Sequence, residues 1–188
     1  MKYGVVLMRA QPIHKGHMDI IQEVLKENAK VLIIIGSANK SGTKRNPLSI
    51  GMREHLLQGA LRDYNLSTRA DIMTLPDWSK EDAYQYAKEW GNFLYYNIVA
   101  RLETKEFTIY YNDDPAIVQN WFNEELAKRV TVKHAERVRD VSGTQIREAF
   151  EQNDDDYLKE MLCPSTYDVK SVIMKMIQNC QKEDFIMK

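Results

Sequence analysis

The residues best suited to chemistry lie together near the start of the chain, in Arg9-Ala10-Gln11-Pro12-Ile13-His14-Lys15-Gly16-His17. Histidine is the side chain whose charge changes near neutral pH. His14 and His17, three apart at a helix start, fall on one face. A helix N-terminus adds unpaired backbone N–H groups and the positive end of the helix dipole, and both suit a phosphate. Gly16 lets a phosphate approach the backbone closely, and Arg9 and Lys15 bring charge of the useful sign. His-x-x-His is also half of a zinc set. However, His55, His134, Cys163 and Cys180 lack the spacing that would complete one, so no protein-ligated metal is expected.

A second stretch, Val141-Ser142-Gly143-Thr144-Gln145-Ile146-Arg147, has the form of a capped helix start with a cation on its first turns. Ser142 or Thr144 supplies a capping hydroxyl, Gly143 permits close approach, and Arg147 can grip a polyphosphate bidentately. Between the two stretches, Gly36-Ser37-Ala38-Asn39-Lys40-Ser41-Gly42-Thr43-Lys44 misses the Walker A pattern: its glycine spacing is wrong, and no Lys-Ser/Thr follows the second glycine. Arg53 reads either as a surface helix charge or as a phosphate ligand. In Tyr111-Asn112-Asp113-Asp114-Pro115 the acidic pair either caps the next helix or meets ribose hydroxyls.

These residues need a scaffold, and the apolar pattern supplies one. Tyr3 to Met8, Val31 to Ile35, Asp71 to Leu75, Phe107 to Tyr111 and Val130 to Lys133 read as strands. Val31-Leu32-Ile33-Ile34-Ile35 is apolar on both alternations, as a strand covered on both faces requires. Helical spacing marks Met18, Ile21, Val24 and Leu25, then Ile50 to Leu61, and a helix from Glu81 to about Leu102 with its start near Ser79 and Asp82. Pro115 is expected to open one helix carrying Ile117, Val118, Trp121, Phe122 and Leu126. Gly143 opens another, and Val169 to Ile177 is apolar at helical spacing. The expectation is an α/β, Rossmann-like open parallel sheet of about five strands with helices on both faces, plus a C-terminal helical segment. Residues 1–150 would form the working domain and 151–188 a helical extension of it. Asn153-Asp154-Asp155-Asp156 and Pro164 are expected to break the helices there. In such a sheet ligands bind at the carboxyl ends of the strands, which is where both stretches fall.

Composition narrows the classes. A chain of 188 residues with a formal net charge of −1 carries no global basic field for nucleic acid. No apolar run is long enough to span a bilayer or to act as a signal peptide. The two cysteines read as reduced thiols. A cytoplasmic protein without a nucleic-acid or membrane partner is therefore expected.

His14-x-Gly16-His17 after a first strand resembles the HxGH signature of the nucleotidyltransferase superfamily. The longer run Arg9-x-Gln11-Pro12-x-His14-x-Gly16-His17 is similar to the GRFQPFHxGH motif of archaeal-type nicotinamide mononucleotide (NMN) adenylyltransferases, with Met8, Ala10 and Ile13 as departures. Ser142-Gly143-Thr144-Gln145-Ile146-Arg147 resembles the SGTxIR motif of the same group. Gly36-Ser37-Ala38 with Asn46-Pro47-Leu48-Ser49-x-Gly51-x-Arg53 resembles its GSAxxS…NPFTxGER region, and the segment around Asp113 resembles its YSGNP.

The resemblance implies the reaction NMN + ATP → NAD + pyrophosphate, with Mg²⁺ bound through the ATP phosphates. It implies His14, His17 and Arg147 as catalytic residues. Arg9, Gln11, Lys15, Gly16, Ser142, Gly143, Thr144 and Asp113 would bind ATP. Gly36, Ser37, Asn46 and Arg53 would bind the acceptor, with Trp90, in preference to Trp78, stacking on its base. Relatives are often homo-oligomers. Another adenylyl- or cytidylyltransferase with a different acceptor phosphate, or a non-catalytic nucleotide-binding module, are the alternatives.

Overall fold

Short apolar runs alternating with amphipathic helices can bury both faces of a sheet only by winding the helices across it in both directions. The computed structural model, which describes residues 2–77, 87–112 and 114–180, has this arrangement. Trp78, Asp113 and the helix start expected near Ser79 and Asp82 lie outside the described residues. Strands β1 (Tyr3–Met8), β2 (Lys30–Ile35), β3 (Ala70–Thr74), β4 (Phe107–Tyr111) and β5 (Thr131–His134) form one parallel sheet in the order β3-β2-β1-β4-β5. The chain starts at the centre, winds outward to β3, and returns to the other side of β1. The switch point therefore lies between β1 and β4.

Strand alternation divides the core in two. Val6, Val31, Ile33, Ile35 and Tyr110 face one layer, whereas Val5, Leu32, Ile34, Phe107 and Ile109 face the other. The first layer holds α1 (Lys15–Glu27), α2 (Ile50–Asp63) and α6 (Gly143–Gln152), and the second holds α3 (Ala87–Leu102), α4 (Pro115–Gln119) and α5 (Glu124–Ala127). Helix α1 buries the expected Met18, Ile21, Val24 and Leu25.

The single helix expected after Pro115 is two short ones. Asn123 ends the continuity: its Oδ1 accepts from Leu126 N at 2.9 Å, capping α5, and its Nδ2 donates to Asn92 Oδ1 on α3 at 3.1 Å. Gly91 admits the chain there, since a Cβ on it would lie 1.9 Å from the Trp121 carbonyl oxygen. Val118, Phe122 and Leu126 are buried as expected, but Ile117 is exposed.

The polar break after α6 is a pair of caps. Asn153 (φ 57°) closes α6 in the left-handed region, and the Asp154 side chain accepts from Tyr157 N to start α7 (Asp155–Met161). Pro164 opens the short α8 (Pro164–Asp168), followed by α9 (Lys170–Gln178). Leu158, Leu162, Cys163, Ile173 and Ile177 join the core of the first layer. Asp63 of α2 accepts from both N and Oγ of Ser165, at 2.9 and 2.7 Å. Both cysteines are free thiols, and burial pushes Cys163 up to about 12. Among the described residues no helix is long and apolar enough to cross a membrane.

Candidate active site

The loop after β1 is held open by two buried braces. Gln11 Nε2 donates to Leu48 O at 3.0 Å, and Leu48 N donates back to Gln11 Oε1 at 2.8 Å. The Gln11 amide, expected to meet ATP, is thus engaged with the chain leading into α2; the residue still lines the cleft. Arg53 needs a larger correction. It is 0% exposed, so it is neither a surface charge nor within reach of a phosphate. Its guanidinium donates to the carbonyls of Arg9 (3.0 Å), Gly36 (2.8 Å) and Ser37 (2.9 Å), tying the ends of β1 and β2 to α2. Ala10 takes a left-handed φ of 50° between them, and Ile13 is fully buried.

This bracing delivers His14 and His17 to the first turn of α1. His14 is the N-cap residue, and its backbone N–H donates to His17 Nδ1 at 3.3 Å. That bond places the ring proton of a neutral His17 on Nε2, making that nitrogen a donor. The two rings lie 3.7 Å apart between centroids. Burial, followed by the charge of Arg137, pushes His17 down to about 4. Burial, with His17 and Arg137, holds His14 far below the ordinary imidazole range. Both imidazoles are therefore neutral at pH 7, each with one N–H donor and one acceptor nitrogen. His14 Nδ1 is buried with no protein partner.

Across the cleft stands the start of α6. Ser142 Oγ accepts from Gln145 N at 3.3 Å. Arg147 donates through Nη1 to Gln11 O at 3.0 Å and through Nη2 to Thr144 Oγ1 at 3.1 Å. The two helix starts approach because Gly16 lacks a side chain: a Cβ there would lie 2.6 Å from Val141 Cγ1 and 3.2 Å from His14 Nδ1. Two helix N-termini thus converge on a cleft of about 210 Å³. Arg9, His14, Gly16 and His17 line it from one side, and Ser142, Gly143, Thr144 and Arg147 from the other.

Three polar lining residues were not singled out in the sequence: Asn112, Arg137 and Arg139. With its Oδ1 turned toward the guanidinium, Asn112 accepts from Arg137 Nη2 and Nε at 3.0 Å each. Arg139 Nε bonds Asp19 Oδ2 at 2.8 Å. The available signal was position, since Ala135 to Arg139 is also a strand-end loop.

Several expected residues are not brought to this cleft. Lys15 points away, and its Nζ donates to Glu160 O at 2.6 Å. Ser37, at a φ of 50°, donates from Oγ to Asp77 Oδ2 at 3.0 Å, and its carbonyl, like that of Gly36, faces Arg53. Asn46 is buried, with its N–H on Thr43 Oγ1 at 3.1 Å. Trp90 packs edge-on against Trp121, 5.1 Å between centroids, with its indole N–H unpartnered. Asp114 Oδ1 caps α4, accepting from Ala116 N at 2.9 Å. Trp78 and Asp113 fall outside the described residues.

Residues 9–149 match the model of the cytidylyltransferase-like family. A nicotinamide-nucleotide adenylyltransferase of Methanococcus maripaludis (strain C5) is 30% identical over 174 residues, 90% of this chain and 85% of that protein. Another, from Methanothrix thermoacetophila, is 25% identical over 187 residues, covering 98% and 99% of the two chains. A bifunctional NMN adenylyltransferase/ADP ribose pyrophosphatase from Francisella tularensis shares the fold, with a TM-score of 0.76 at 20% identity. The match covers 94% of this chain and 51% of that one, so this chain spans about half its length. The Francisella protein has also been solved with AMP and a Mn ion.

Proposed function

This chain belongs to the cytidylyltransferase-like family and is a nucleotidyltransferase of the nicotinamide-nucleotide adenylyltransferase type, and from that premise we propose how its cleft performs the transfer. The 5′-phosphate oxygen of NMN attacks the α-phosphorus of ATP in line. The new O–P bond forms as the bond to the β-phosphate oxygen breaks, and pyrophosphate leaves with the electron pair. The attacker is already an anion, so no protein nucleophile or strong base is required; the protein's work is positioning and charge stabilisation.

The observation that carries this assignment is the meeting of two helix starts, one bearing a neutral donor pair and the other a guanidinium with hydroxyls. His17 Nε2–H and His14 donate to the non-bridging α-phosphate oxygens. Arg147, with Thr144 and Ser142, receives the departing pyrophosphate, and Arg9 shares its charge. Gly16 and Gly143 give the phosphates access to the backbone. Residues 1–150 make up this working domain, and the helices from 151 onward are its extension.

The family implies a divalent cation, but the described lining of the cleft includes no carboxylate. Among the described residues no group of three or more His, Cys, Asp or Glu could hold a metal ion. Mg²⁺ would enter with ATP, carried on its phosphates, and would add to the charge stabilisation there.

Pyrophosphate release assayed with NMN, nicotinate mononucleotide, phosphopantetheine and choline phosphate, each with ATP and CTP, tests the assignment. Release with NMN and ATP supports it. Release only with a non-nicotinamide acceptor overturns the acceptor, and tight ATP binding without turnover on any acceptor overturns catalysis.

A further inference from the structure

We propose that Arg137 is a charge contact for the reacting α-phosphate beside the neutral histidine pair, and that Asn112 is its positioning residue. The inference rests on the adenylyl-transfer reading above and adds to it a pair that neither sequence stretch contains. The two residues come from loops at adjacent strand ends, Asn112 just after β4 and Arg137 after β5. Both line the cleft beside the switch point.

The bidentate bond from Arg137 Nε and Nη2 to Asn112 Oδ1, 3.0 Å on each arm, fixes the plane of the guanidinium. A neutral amide orients the cation without neutralising it, and it engages two of the five N–H donors. The contrast with Arg139 is direct, because the charge of Arg139 is met by the Asp19 carboxylate at 2.8 Å.

The cations of the cleft fall into two groups. Arg147, on the side assigned to the leaving pyrophosphate, feels the charges of Arg9 and Arg45. Arg137 instead acts on His14 and His17, the pair assigned to the α-phosphate. Since both imidazoles are neutral, the reacting phosphorus would otherwise lack a full positive charge on that side. As the bond to NMN forms and the bond to the β-phosphate breaks, charge builds on the non-bridging α oxygens. A guanidinium held in place beforehand stabilises that charge without reorganising.

The test uses Arg137→Ala, Arg137→Lys, Asn112→Ala and the double variant in the full chain, each checked for an unchanged melting temperature. Arg137→Ala is expected to lower kcat by about 100-fold with KM for ATP changed by less than about threefold, the pattern of a transition-state contact. Arg137→Lys recovers part of the loss, because it restores charge without the fork. Asn112→Ala costs roughly tenfold and adds nothing in the Arg137→Ala background, since its effect passes through Arg137. In the NMR titration of the free protein, the His17 ring moves up toward its ordinary pKa when Arg137 is removed. A kcat within threefold of wild type in Arg137→Ala, or an unmoved His17 titration, overturns the role of Arg137. Full additivity of the two alanine variants overturns that of Asn112. If wild type releases pyrophosphate only with an acceptor other than NMN, the acceptor assignment falls, and the same variants assayed with that acceptor still decide on Arg137.

Discussion

Arg53 offers the sharpest separation between holding a site and touching its ligand. Replacing it with Met keeps a long, flexible, apolar stem and removes three charge-assisted hydrogen bonds to the carbonyls of Arg9, Gly36 and Ser37. Hydrogen bonds to charged groups contribute about 1.5–3 kcal/mol each, but such values do not add fully when the partners share a loop. Leaving the carbonyls buried and unpaired while Met regains some apolar burial brings the net cost to about 3–5 kcal/mol. For a chain of this size each kcal/mol moves the melting temperature by about 2–4 °C, so a fall of roughly 6–20 °C is expected. Arg53→Lys should recover only a small part, because one ammonium cannot span three carbonyls. The assay is thermal unfolding followed by circular dichroism, alongside KM for the acceptor measured well below the transition. A melting temperature within about 2 °C of wild type, combined with a KM for NMN raised tenfold or more, would refute the buried clamp and restore Arg53 as a phosphate ligand.

Three further outcomes follow from the same geometry. His17→Ala should lower kcat by about 100- to 1000-fold while moving the melting temperature by no more than a few degrees, because the ring acts through a donor aimed at the reacting phosphate; steady-state kinetics with NMN and ATP reads this. His17 has a pKa of about 4 in the folded protein, below the ordinary 6.5. The unfolded chain therefore binds more protons between those values, and the stability contributed by the neutral ring is present above about pH 6.5 and lost as pH falls toward 4. Chemical denaturation from pH 7.5 to 4.5 should show this decline, and a His17 NMR titration midpoint near 6.5 would contradict it. Gly91→Ala places a methyl 1.9 Å from the Trp121 carbonyl oxygen, so it should destabilise by about 3 kcal/mol or more, and urea unfolding at wild-type strength would show that α3 and the α4–α5 turn are not in contact.

The strands and the faces they bury could be read from the chain because both depend on local pattern. The unbroken aliphatic run Val31 to Ile35 can be satisfied only by cover on both faces, and all five residues are fully buried. The α4–α5 break was not readable, because its cause is a contact between Asn123 and Asn92, thirty-one positions apart. The site divides in the same way. His14, His17, Ser142, Thr144 and Arg147 lie on helix starts, where the backbone itself sets their direction, and all five reach the cleft. Gln11, Lys15 and Arg53 are long side chains whose partners are remote in sequence: Leu48 for Gln11, the Glu160 carbonyl for Lys15, and the Arg9, Gly36 and Ser37 carbonyls for Arg53. Motif resemblance and residue type marked Gln11 and Lys15 as ATP ligands and Arg53 as an acceptor ligand. The partners they actually meet were fixed by packing that no local pattern records.

The same distinction bears on how the cleft divides its labour. A phosphate site built from protonated histidines would bind ATP more weakly as pH rose, whereas this one buries its imidazoles and gives up their charge. What remains is a pair of neutral rings at the start of α1, with the His17 donor fixed by the bond from the His14 backbone N–H, surrounded by guanidiniums that do not titrate. The bonds from Arg147 to Gln11 and Thr144, and from Arg137 to Asn112, all use neutral acceptors, so orientation is gained without cancelling charge. A carboxylate at either side-chain acceptor, Thr144 or Asn112, would hold the arginine equally well and would oppose the phosphate it is meant to meet. Neutral braces therefore suit a site whose task is to receive negative charge as it develops.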